Sequence, residues 1–100
     1  MSITATNLLE SINPATGEVV GSVPITPIDE IPRIVAKARE AQPAWNALGL
    51  DGRLALMQPI ANRLAEEAPR IGKLMTAEMG KSTPEAQGEC AYGAEKFTSE

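Results

Sequence analysis

The chain is 100 residues long with a formal net charge of −4 and no histidine, enough for one small domain. Lys and Arg are scattered singly, which excludes the basic stripe that holds nucleic acid; no apolar run approaches the ~20 residues that span a bilayer, and the opening MSITATNLLES lacks the basic-then-apolar pattern of a secretory signal. Trp45, Tyr92 and Phe97 are the whole aromatic complement, which anchors a self-sufficient core thinly and predicts a partner surface, and the single Cys90 offers no disulfide framework and fits a reducing cytoplasm.

Residues 8–24, LLESINPATGEVVGSVP, alternate as strands do over Leu9 to Ile12 and again over Glu18 to Val23. Between them Asn13-Pro14-Ala15-Thr16-Gly17 has turn chemistry, because Asn bonds its own downstream backbone, Pro presets φ and Gly accepts φ > 0. The pattern predicts a β-hairpin whose second strand weakens at Gly21 and Pro24. A lone two-stranded hairpin is marginal in water, so it must lie on something.

From Ile28 the period becomes helical. Ile31, Ile34, Val35, Ala38, Ala41 and Trp45 recur at spacings of three and four, on one apolar face. Asp29 is the predicted N-cap, with Pro32 in the first turn where its missing N–H does no harm. Pro43 should kink or end this helix near Gln42. A second helix is predicted from near Asp51, burying Leu54, Met57, Ala61, Leu64 and Ala68 and bent at Pro59. Pro69 is expected to start a third, shorter helix with Ile71, Leu74, Met75 and Met79 inward. Gly80 closes it in the left-handed conformation that C-terminal caps favour, with Lys81 near the negative end. Thr83-Pro84-Glu85 then opens a fourth helix, with Thr83 as the capping hydroxyl and with a face of Ala86, Cys90, Gly93 and Phe97. The helical pattern persists to Glu100. These patterns predict a mostly α fold with an N-terminal β-hairpin: the hairpin over 8–24 and about four helices over 28–100.

Each residue able to carry chemistry has a structural reading that outweighs the functional one. Cys90 has no histidine to activate it and lies on an apolar stripe, where a free Cys packs as a small hydrophobe. Gly80-Lys81-Ser82 resembles the end of a phosphate-binding loop, but the earlier glycine position is Met75 and the preceding segment is helical. Gly17 and Gly21 lack the third glycine and the following helix of a dinucleotide fingerprint. The neighbours Glu66-Glu67 and Asp29-Glu30 point apart on polar faces. Without His and with one Cys, no metal cluster is expected. Trp45 is expected to be a core anchor.

Five stretches in order resemble the aldehyde dehydrogenase superfamily along nearly the whole chain. They are Ile12-Asn13-Pro14-Ala15-Thr16-Gly17-Glu18-Val19-Val20 with Val23-Pro24; the Ala-rich Ala36-Lys37-Ala38-Arg39-Glu40-Ala41 leading to Trp45; Arg53 heading a helix with Leu54, Ile60, Ala61 and Leu64; Glu78-Met79-Gly80-Lys81; and Glu85-Ala86 with Gly88-Glu89. The resemblance implies a three-part enzyme with a Rossmann-like cofactor domain, a catalytic domain and an oligomerisation arm, in which residues 1–100 form the N-terminal segment of the cofactor-binding domain. It implies oxidation of an aldehyde by NAD or NADP: a Cys attacks the carbonyl, hydride passes to the nicotinamide, and a Glu-activated water releases the acid while an Asn side chain and a backbone N–H hold the oxyanion. None of those residues maps onto this sequence. The family's nucleophile stands in a Gly-Gln-x-Cys context, whereas Gln87-Gly88-Glu89-Cys90 reverses the Gly and Gln. The expectation is therefore no catalytic, cofactor-binding or metal residue in this stretch, no NAD(P) bound by it alone, and the remainder of the parent enzyme, homo-oligomeric when complete, as its partner. Glu78-Met79-Gly80-Lys81-Ser82 and the Glu-rich helix after it lean toward semialdehyde dehydrogenases. The alternative is a stand-alone helical binding or oligomerisation module without catalysis, its apolar helix faces recruiting a partner.

Overall fold

The computed structural model describes residues 7–98. Strand β1 (Leu8–Ile12) pairs antiparallel with β2 (Val19–Pro24), in the register Leu9↔Val23, Glu10↔Ser22 and Ser11↔Gly21. The next pair is Ile12↔Val19, so Val20 is an extra residue on β2 that breaks the ladder beside the turn. The turn is built as its residues predict. The Asn13 carboxamide oxygen accepts from the Ala15 N–H at 2.8 Å and the Thr16 N–H at 3.3 Å. Gly17 sits at φ +76°, and its N–H donates to the Asn13 carbonyl at 2.8 Å.

A short 3₁₀ turn, Ile28–Glu30, leads into α1 (Ile31–Ala47). The predicted N-cap at Asp29 is corrected. Glu30 occupies the cap without a side-chain hydrogen bond, because the 3₁₀ turn already supplies local bonding there. Pro32 stands in the first turn as expected. Of the kink or end expected near Gln42, the end does not occur, since α1 runs through Pro43 to Ala47. Gly49, at φ +71°, separates α1 from α2 (Gly49–Met79), and Arg53 of α2 donates to the Asn46 carbonyl near the end of α1 at 3.1 Å. That bond satisfies one of the acceptors a helix end leaves open.

The largest correction concerns α2. The predicted second and third helices are one helix of 31 residues containing Pro59 and Pro69, so the described residues hold three α-helices rather than four. Each proline removes one intrahelical bond and crowds the carbonyl four residues before it. Both prolines lie on the exposed side of α2, where the freed carbonyls can turn toward water. The inner side keeps its phase across them: Ala61, Ala68 and Gly72 are buried, and Leu64, Ile71 and Met75 half-buried. Gly80 ends the helix at φ +78°, its N–H on the Thr76 carbonyl, as expected.

Helix α3 (Thr83–Lys96) folds back along α2. Ser82, not Thr83, is its N-cap, its hydroxyl accepting from the Glu85 N–H at 3.4 Å. Thr83 instead lies half-buried, with its hydroxyl 3.2 Å from that of Thr76. The inward stripe is Ala86, Cys90 and Ala94. Gly93 is half-buried and Phe97 exposed beyond the last helical residue, which corrects the predicted face; Glu100 lies outside the described residues.

The core is thus a line of small side chains between two helices. Ala61 and Ala68 of α2 face Ala86, Cys90 and Ala94 of α3, and among the described residues no large side chain is fully buried. Small residues let helix backbones approach closely, toward the short end of the usual 8–10 Å spacing. Gly72 shows how closely: a Cβ built there would stand 2.4 Å from Gln87 Cγ and 2.9 Å from the Gln87 backbone. The Gln87 amide reaches on to the Pro69 carbonyl at 3.2 Å. The outline is a slab of 47 × 39 × 16 Å with a radius of gyration of 17.6 Å, against about 13 Å for a compact domain of this length.

Candidate functional site

Three places on this slab could in principle do chemistry or bind. The first is the thiol. Cys90 is buried in the α2–α3 seam with Sγ 4.0 Å from the Leu64 carbonyl. A nucleophilic cysteine needs access and a group that favours the thiolate. Its shown contact is the Leu64 carbonyl, and its buried neighbours along α3 are Ala86 and Ala94, so its position gives it packing.

The second is the junction of α2 and α3, where the Gly-Lys-Ser stretch falls. Gly80 is the C-cap of α2 and Ser82 the N-cap of α3, and Lys81 between them pairs with Glu89 in the second turn of α3. The N-terminal end of α3 could attract an anion through its open N–H groups. Here the Glu85 N–H is already bonded to Ser82 and the Glu85 carboxylate stands in the first turn. That end is capped and negatively flanked, a poor seat for phosphate.

The third is apolar surface. On α1, Ile34, Val35, Ala38, Ala41 and Trp45 line an open groove of about 670 Å³ with Arg39 and Gln42 at its edge. The predicted apolar face therefore exists as one face. Trp45 is nonetheless 40 % exposed, which corrects its expected place in a core: the described residues cover it only in part. A second groove of about 610 Å³ runs between the hairpin and the end of α2, with Leu9, Val20, Val23, Leu74 and Met79 as its apolar walls and Glu10 and Glu78 as charges. The hairpin does rest on α2 here, as a lone hairpin must. Its turn touches down at Gly80, where an added Cβ would meet Pro14 Cγ at 3.2 Å.

The acidic neighbours are surface groups. Glu66 and Glu67 face Arg63, at 3.8 and 3.2 Å, and Glu67 also pairs with Arg70. The hydrogen bond and charge of Arg70 hold the Glu67 carboxyl below its ordinary range, with Arg63 adding to the effect. Asp29 and Glu30 belong to the 3₁₀ turn. Among the described residues no group of three or more His, Cys, Asp or Glu is placed to hold a metal ion, and no helix is long and apolar enough to cross a membrane.

Among the described residues no strand–turn–helix unit of the kind that cradles a dinucleotide is formed. Its phosphates need a strand, a glycine-rich turn and a helix N-terminus in succession. The two strands here form a hairpin, and β2 runs out through Pro24 and Pro27 into a 3₁₀ turn instead. Sequence reasoning missed the Gly72–Gln87 interlock and the Lys81–Glu89 pair. The signal for the first was present in the spacing Ala61, Ala68, Gly72 on one helix and Ala86, Cys90, Ala94 on the next.

Residues 2–99 match the family model described as the aldehyde dehydrogenase family. The chain is 43 % identical over 82 residues to a glutarate-semialdehyde dehydrogenase of Pseudomonas putida, a stretch that covers 82 % of this chain and 17 % of that protein. It is 37 % identical over 86 residues to an NADP(+) succinate-semialdehyde dehydrogenase of Escherichia coli, covering 86 % of the chain and 18 % of the relative. A malonate-semialdehyde dehydrogenase of Bacillus mycoides is 37 % identical over 83 residues, with 83 % of the chain and 17 % of the relative covered. The chain thus spans about a sixth of the length of these curated relatives.

Proposed function

The chain belongs to the aldehyde dehydrogenase family, as an N-terminal segment, and from that premise we propose that it is the hairpin-and-helix scaffold of an NAD(P)-dependent enzyme oxidising a semialdehyde to a carboxylic acid. The segment supplies no reacting group of its own. Its role is to pack against the cofactor-binding domain of a homo-oligomeric enzyme in a reducing cytoplasm, and alone it neither binds NAD(P) nor oxidises an aldehyde. The observation that carries this reading is the inverted burial. Ile31, Ile34, Val35 and Trp45 on α1 and Leu9 and Val23 on the hairpin are exposed, while the residues that are buried are alanines, a glycine and a cysteine. Exposed apolar faces of this extent mark a surface made to be covered. The semialdehyde substrate class is supported by the names of the three relatives above.

A chimera tests it. The matching 82 residues of the Pseudomonas putida enzyme are replaced by those of this chain, and reduced nicotinamide is followed with glutarate semialdehyde as substrate. The expected outcome is a folded chimera that turns over, beside an isolated chain that produces no reduced nicotinamide with NAD, with NADP or with any semialdehyde offered. A chimera that folds without oxidising defeats the scaffold role. Turnover by the isolated chain defeats its predicted inactivity.

A further inference from the structure

We draw no further inference here: the strongest candidate, the open apolar groove along α1 lined by Ile34, Val35, Ala38, Ala41 and Trp45, is the surface from which the proposed function is already argued, and nothing in the structure shows what covers it.

Discussion

Helix α1 and the α2–α3 pair are built from opposite materials. The pair meets through Ala61, Ala68, Gly72, Ala86, Cys90 and Ala94, all buried, whereas α1 carries Ile31, Ile34, Val35 and Trp45 and buries none of them. Hydrophobic stabilisation scales with area removed from water, roughly 25 cal/mol per Å², so the region with more apolar surface per residue gains less from this fold. The small residues contribute through close approach and dispersion contacts rather than through area. Tight packing and large hydrophobic gain are therefore separable, and here they sit on different helices. One region is closed within the described residues; the other is left open.

That contrast can be broken by mutation, and the sharpest attempt is Ala86→Leu. Ala86 is 0 % exposed, and three extra carbons in the seam must push the helices apart. The expected loss is ~3 kcal/mol, at the upper end for overpacking, read as a lower urea midpoint by far-UV circular dichroism; an unchanged midpoint means that the seam is loose. Gly72→Ala comes next. Alanine favours a helix by ~1 kcal/mol over glycine, yet its methyl would enter the Gln87 backbone, so a net loss of ~1–2 kcal/mol is expected. A gain in stability would show that the helices can part without cost.

On α1 the same logic predicts near silence. Ile34→Ala should move the midpoint by less than ~0.5 kcal/mol, as exposed substitutions do, although it removes as many carbons as Ala86→Leu adds. A loss of ~2 kcal/mol would mean that α1 is covered in solution, by another copy or by its own chain. The smallest effect concerns pH. The folded-state pKa of Glu67 is depressed by Arg70 and then Arg63, so its contribution is present above the ordinary carboxylate pKa and fades as pH falls through the lower folded value. Glu67→Gln should leave the neutral-pH midpoint nearly unchanged and slightly flatten its decline in acid, since exposed ion pairs contribute little.

How far the sequence foretold this depends on which residue is asked. Asn13-Pro14-Ala15-Thr16-Gly17 carries its turn in its own side chains, so the hairpin was readable from local chemistry. Gly80 likewise announced its positive φ. Pro69 misled because a proline's local penalty is fixed whereas its remedy is tertiary. An unbroken inner stripe against α3 holds α2 together, and that partner is invisible to a window of neighbours. The one-residue shift from Thr83 to Ser82 at the cap has a similar origin, because Thr83 is drawn to Thr76 across the junction. Trp45 had the right face and the wrong fate. Periodicity tells which residues look the same way, not whether anything is there to meet them. Cys90 was placed correctly on an inward stripe, since its spacing and lack of a base both pointed to packing.

The position of Cys90 has a practical consequence. As the chain's single thiol, lodged where α2 and α3 touch, it is a native clock for their separation. With 9 % of its surface exposed, it should react with a maleimide far faster when the seam opens, so its labelling rate reports that breathing with no engineered probe, and the same reagent would register any outside body that clamps the seam shut.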